Sequence, residues 1–172
     1  MPGAFELRPA RHTDADEVAA IETLAFSDPW SRNAFAALIG NPAVLFLVAA
    51  ALPAEPAALR PRIVGYVVAW FAADESEIAN IAVAPSARGR GIGAALLDAA
   101  LTEAVRRSAA TTYLEVRESN LVARNLYAAR GFTELGRRRN YYRHPREDAL
   151  VLGRPTDAGR TSTGGVESAH RA

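Results

Sequence analysis

The sequence predicts a single α+β domain, mixed α/β in its element order, with a largely antiparallel sheet of about seven strands flanked by about four helices. Three observations carry this. Apolar, β-branched and aromatic runs recur up to residue 84 with no crossover helix between them, as in a meander of antiparallel strands. Beyond residue 90, helix-period segments alternate with strand-period ones. The 172 residues are 49% hydrophobic and 23% charged, enough for one domain with its own core.

"AFELRPA" reads as a short strand ending at Pro9. "HTDADEVAAIETLAF" is a helix with Thr13 or Asp14 as cap, acidic residues in its first turn, and an apolar stripe of Val18, Ile21, Leu24 and Ala25. After a turn at Asp28-Pro29, a second helix runs from Ser31 to Ile39 and stops at Gly40. "AVLFLVAAAL" is a buried strand, "PAEPAALRP" a Pro-rich loop, and "RIVGYVVAWF" and "ESEIANIAVAP" the next two strands. A helix follows from about Gly91 to Ser108. "TTYLEVR" alternates, with Thr112, Leu114 and Val116 on one face and Tyr113, Glu115 and Arg117 on the other. "SNLVARNLYAARG" is a helix capped by Ser119 or Asn120 and stopped at Gly131. "FTELGRRRNYY" and "EDALVLGR" form a final antiparallel pair. The domain is expected over residues 1–154, and the polar, aperiodic segment 155–172 as a disordered tail.

Composition excludes several functions. There are no cysteines, hence no disulfide, thiolate metal site or cysteine nucleophile. His12, His144 and His170 are scattered without ligand spacing, so no metal is expected. The net charge of +1 gives no field for nucleic acid. No apolar run suits a membrane span and no signal pattern opens the chain, so a cytoplasmic protein is expected, with a monomer as the default. All 20 basic residues are Arg, so the chain has no side-chain primary amine.

"ARGRGIGAALL", residues 87–97, is the informative stretch. A glycine-rich loop opening a helix presents backbone N–H groups to a phosphate. A Walker-type loop requires Lys, which this chain lacks. Gly89, Gly91 and Ala94 do satisfy the dinucleotide fingerprint, with Glu115 as its acidic residue. The meander before the loop argues against that fold, which continues in βαβ units. Coenzyme A, whose pyrophosphate suits the same loop, is the third reading.

The segment Val83-Ala84-Pro85-Ser86-Ala87-Arg88-Gly89-Arg90-Gly91-Ile92-Gly93 resembles motif A of the GCN5-related N-acetyltransferase (GNAT) superfamily, and the element order matches over about residues 4–153. "LEVRESNLVARNLYAARGF", "RRRNYY…REDALVL" and "FSDPWS" resemble, more narrowly, the bacterial ribosomal-protein alanine N-acetyltransferases of the RimI type. The loop at 52–61 departs from that pattern in its length and Pro content.

The resemblance implies an acetyl-CoA-dependent enzyme acting on a protein N-terminus, with the N-terminal Ala of a small-subunit ribosomal protein as substrate. Such chemistry needs a held cofactor, a neutral amine, a donor for the oxyanion and a proton for the thiolate. Backbone N–H groups of Arg88, Gly89, Arg90, Gly91, Ile92, Gly93 and Ala94 suit the pyrophosphate. By resemblance, Ile81, Ala82 and Val83 pair with the pantetheine arm. Glu115 is implied as general base; by itself it also reads as a solvent-facing charge or an arginine's partner. Tyr127, seven residues after Asn120 and on its helical face, is implied as the acid; by itself it also reads as a core aromatic. Asn120 is implied to bind the pantetheine. Trp30 and Tyr141 are candidates for the substrate groove, and Trp30 equally for a staple between the first two helices. Without a cysteine, direct attack in a ternary complex is the simplest route.

Overall fold

The computed structural model describes residues 4–53 and 61–156. Most of the Pro-rich loop, and residues 157–172 of the tail expected over 155–172, lie outside the described residues. In chain order the elements are β1 (Phe5–Pro9), α1 (Ala15–Ala25), α2 (Arg32–Leu38), β2 (Val44–Ala51), β3 (Arg62–Ala72), β4 (Glu75–Val83), α3 (Ile92–Arg106), β5 (Thr111–Arg117), α4 (Leu121–Ala128), β6 (Thr133–Arg143) and β7 (Arg146–Pro155). The seven strands form one sheet in the order β1-β2-β3-β4-β5-β7-β6. Its described pairings are antiparallel except β4 with β5, which run parallel across the α3 crossover.

Alternation along β3 divides the helices between the two faces. A Cβ on Gly65 would point at Ile92 and Leu96 of α3. The next side chain, Tyr66, packs instead on Phe35 of α2, ring edge to face at 5.3 Å. β3 is therefore buried on both sides from Ile63 to Ala69, as its unbroken apolar run requires. Gly65 has no room to spare: an added Cβ would lie 3.1 Å from the Ala82 carbonyl oxygen and 3.1 Å from both α3 side chains. Gly65→Ala is expected to destabilise the fold by about 1–3 kcal/mol through overpacking. Urea unfolding tests this, and an unchanged midpoint would show that α3 can withdraw.

The first helix differs from expectation. Leu24 is 69% exposed, and Glu22, at 1%, takes an inward position beside Val18 and Ile21. Helical spacing explains the exchange: at 100° per residue Leu24 lies about 120° around the helix from Val18, and Glu22 only about 40°. Asp14 does not cap the helix in the expected way. Its carboxylate accepts from the Arg11 N–H at 2.8 Å and from the Arg8 guanidinium at 2.7 and 3.0 Å. Ser31 does cap α2, accepting from Ala34 N–H at 3.1 Å. At the other end of the chain, β7 includes Pro155, and Thr156 beyond it is buried with its N–H on the Ala110 carbonyl at 2.9 Å.

Candidate functional site

The site begins where two parallel strands part. β4 pairs with β5 only from Glu75↔Thr111 to Ile78↔Leu114. Past that point β4 still pairs with β3, through Asn80↔Val68 to Val83↔Gly65, but has no strand on its other side. The register with β3 slips between Asn80 and Ile78, leaving Ala79 as a bulge residue. Bulges bend a strand and end its pairing, and they recur next to active sites. Ile81, Ala82 and Val83 thus lie on a half-ladder with one open side, their side chains half-buried or buried.

β4 leads through a short turn at Pro85–Ala87 into the glycine loop. Gly89 and Gly91 have φ of +76° and +78°, in the left-handed region that disfavours side chains. A Cβ at either would meet nothing within 4 Å, so conformation, not crowding, selects glycine here. Gly91 caps α3 without any side-chain hydrogen bond, and the first helical bond is Ala95 N–H to Gly91 carbonyl at 3.0 Å. The N–H groups of Ile92, Gly93 and Ala94 therefore lack intrahelical acceptors, beside an exposed loop of Arg88, Gly89, Arg90 and Gly91. A helix N-terminus of this kind favours an anion. The loop, the bare N-terminus and the parted strands fit a long ligand with phosphate at one end. The side chain of Ile92 is itself core, leaving only its backbone for this task.

Glu115 is the first β5 residue past the last β4–β5 pair. It opens on a cleft of about 350 Å³ lined by Trp70, Glu77, Tyr113, Glu115 and Arg138 among others. Its Oε1 is 2.6 Å from Arg138 Nε on β6, so the arginine-partner reading also holds. The Arg138 side chain is 59% exposed, and such a pair is worth only about 0–1 kcal/mol and opens readily. Tyr141, half exposed on β6, has its phenol raised by burial and by the charge and hydrogen bond of Glu115.

Tyr127 is 5% exposed and packs edge-on against Phe132 at 5.8 Å, as a core aromatic does. Burial, then the nearby Tyr142 phenol, pushes its pKa up to about 12. Tyr142 is in turn pushed up to about 12, first by burial and then by Glu115. Sequence reasoning missed Tyr142, whose phenol interacts electrostatically with both candidate catalytic groups. Neighbouring strand residues ordinarily face opposite ways. Here the register slips between Arg138 and Tyr142, and Asn140 has φ of +51°. Tyr141 and Tyr142 consequently meet, rings 5.2 Å apart. The doubled Tyr of "NYY" was the only visible signal.

Arg117 was missed as well. Its guanidinium lies 4.0 Å over the Tyr142 ring, and Nη2 donates to Ser27 Oγ at 2.9 Å. This draws the α1–α2 connection against the end of β5. Glu147 braces the same corner, accepting from Ser119 N–H at 2.6 Å and Ser119 Oγ at 2.8 Å, and its carboxyl is held below the usual range, mainly by Ser119. Trp30 sits on that connection, half-buried, its ring 5.5 Å from Phe35. With its backbone N–H on Glu22 of α1 at 3.0 Å, it ties the two helices together as a staple does. Asn120 caps α4, its Oδ1 accepting from Ala123 N–H at 3.1 Å. It is exposed while Tyr127 is buried, so the shared helical face does not bring them into one environment. Among the described residues no group of three or more His, Asp or Glu side chains is arranged to hold a metal, and no helix is long and apolar enough to cross a membrane.

Residues 15–132 match the acetyltransferase (GNAT) family. The ribosomal protein bS18-alanine N-acetyltransferase of Escherichia coli is 34% identical over 145 residues, 83% of this chain and 92% of its own. A crystal structure of the ribosomal-protein-S18-alanine N-acetyltransferase from Escherichia coli superimposes with a TM-score of 0.76 at 32% identity, covering 89% of this chain and 94% of that one. The crystal structure of Ard1 from Thermoplasma volcanium shares the fold, with a TM-score of 0.77 at 24% identity over 89% of this chain and 98% of its own.

Proposed function

The chain belongs to the acetyltransferase (GNAT) family and is an acetyl-CoA-dependent acetyltransferase, and from that premise we propose that its acceptor is the N-terminal α-amine of a protein, the N-terminal alanine of a small-subunit ribosomal protein. The likeness to the Escherichia coli bS18 enzyme over most of both chains supports the substrate. The observation that carries the chemistry is the parting of β4 and β5 just before Glu115: the carboxylate opens on a cleft at the end of the paired stretch, and β4 runs on beyond it with one open edge.

Acetyl-CoA supplies the acetyl group as a thioester. The loop from Arg88 to Gly91 and the free N–H groups of Ile92, Gly93 and Ala94 hold its pyrophosphate. The open edge of Ile81, Ala82 and Val83 aligns the pantetheine arm, with the Asn120 amide beside it. Glu115 accepts a proton from the substrate ammonium, directly or through water. Tyr127, kept protonated by burial, donates to the departing sulfur. Trp30 and Tyr141 line the acceptor groove. An α-amine titrates near 8, so roughly a tenth is already neutral at pH 7, against a far smaller share of a lysine side chain at about 10.4. A carboxylate base at this site therefore suits the α-amine better.

Thiol release from acetyl-CoA tests the reading with two peptides. One begins Ala-Arg-Tyr; the other has the same sequence with a blocked N-terminus and an added Lys. Turnover of the free N-terminus alone is expected. Turnover of the Lys peptide alone would overturn the acceptor assignment, and coenzyme A binding without turnover of either would make the protein a silent binding module.

A further inference from the structure

Glu22 is the most deeply buried carboxylate among the described residues, and the chemistry above makes no use of it. Its Oε1 accepts from Trp30 N–H at 3.0 Å and from Asn80 Nδ2 at 2.9 Å. Its Oε2 accepts from Asn80 Nδ2 at 2.9 Å and from the Tyr66 hydroxyl. All three donors are neutral, and each comes from a different piece of the fold. Trp30 belongs to the α1–α2 connection, Tyr66 to β3 and Asn80 to β4.

A buried carboxylate is costly unless fully hydrogen-bonded, and removing a partner leaves the charge uncompensated. The three groups are therefore held in one arrangement around it. Two of them stand on the segments that the functional reading assigns to the two substrates. Asn80 flanks the bulge residue Ala79, where β4 leaves β5. Trp30 stands on the connection that Arg117 draws against the end of β5 through Ser27. Tyr66 lies in mid-sheet, packed on Phe35 and Phe46, and borders nothing open.

We propose that Glu22 is a positioning residue: through Asn80 it fixes the diverging half of β4 on which the cosubstrate lies, and through Trp30 it fixes the acceptor loop, so that one buried anion sets the distance between the two substrates. The inference rests on the functional reading above, since it takes β4 as the cosubstrate side and the Trp30 loop as the acceptor side. Glu22 touches neither substrate. It acts through backbone and amide groups that would otherwise shift, and a shift of about 1 Å at reacting atoms can cost a hundredfold in rate.

Three variants separate positioning from plain stability. Glu22→Gln cannot accept from all of its donors and disturbs both ties. Asn80→Ala cuts the β4 tie alone. Tyr66→Phe removes a donor to the same carboxylate without touching either wall. Thermal unfolding, coenzyme A affinity by calorimetry and the KM for the Ala-Arg-Tyr peptide are the readouts. Tyr66→Phe is expected to lower Tm with both binding constants within about twofold of wild type. Asn80→Ala should weaken coenzyme A about tenfold, more than it raises the peptide KM, and Glu22→Gln should move both and lower kcat/KM by about 10–100-fold. If Asn80→Ala and folded Glu22→Gln behave like Tyr66→Phe, with Tm lowered and both constants unmoved, the proposal is wrong. If Glu22→Gln does not fold, the coenzyme A affinity of Asn80→Ala decides. Wild-type protein that binds coenzyme A but turns over no peptide overturns the functional reading, and the calorimetric arm still tests the β4 tie.

Discussion

Glu115→Gln is expected to lower kcat at pH 7 by about tenfold, because roughly a tenth of an α-amine that titrates near 8 is already neutral there. The amide keeps the shape of the side chain. The exposed ion pair with Arg138 disappears, at a stability change within about 1 kcal/mol, so the variant should fold. The pH profile makes the test specific. Without the carboxylate, only substrate whose α-amine is already neutral reacts. That fraction rises about tenfold per pH unit until the amine's own value near 8 is passed. The variant's rate should climb with pH and its deficit should shrink above pH 8. A profile parallel to that of wild type, or an unchanged kcat, would remove Glu115 from the role of base.

Tyr127→Phe is expected to lower kcat by about 10²-fold or more while coenzyme A affinity stays within about twofold. Phenylalanine fills the same buried site against Phe132, so the fold has little reason to change. The phenol, held at about 12 by its burial and by Tyr142, remains protonated over the whole range in which amines are deprotonated. Wild type should accordingly show no falling limb from this acid below about pH 11. A descending limb between pH 9 and 10 that vanishes in Tyr127→Phe would place the phenol's titration far lower than its surroundings allow. Full turnover by Tyr127→Phe would remove it as the acid.

Much of the fold was legible because the signals are local. Alternation in "TTYLEVR" put Thr112, Leu114 and Val116 on one face, and all three are buried. Ser31 and Asn120 cap the helices that follow them, and Gly40 and Gly131, with φ of +83° and +82°, end them. Leu24 shows the limit. An apolar residue at i+3 satisfied the pattern while the helix turned it to solvent, and a glutamate took the inward place. No single-sequence rule for apolar stripes anticipates a buried carboxylate, because its donors come from residues 30, 66 and 80.

The sequence by itself determined the helices and strands, the left-handed glycines of the loop before α3, the absence of cysteine and lysine chemistry, and the family. These follow from periods of two and 3.6 residues, from φ preferences and from composition, none of which needs a distant partner. Only the tertiary structure decided that β7 lies between β5 and β6, that β4 bulges at Ala79 where it leaves β5, that Arg138 occupies Glu115, and that the Tyr142 phenol interacts electrostatically with both Glu115 and Tyr127. Each depends on strand register and on contacts between residues far apart in the chain. A one-residue slip in register turns every following side chain to the other face, and nothing within either strand records where that slip occurs.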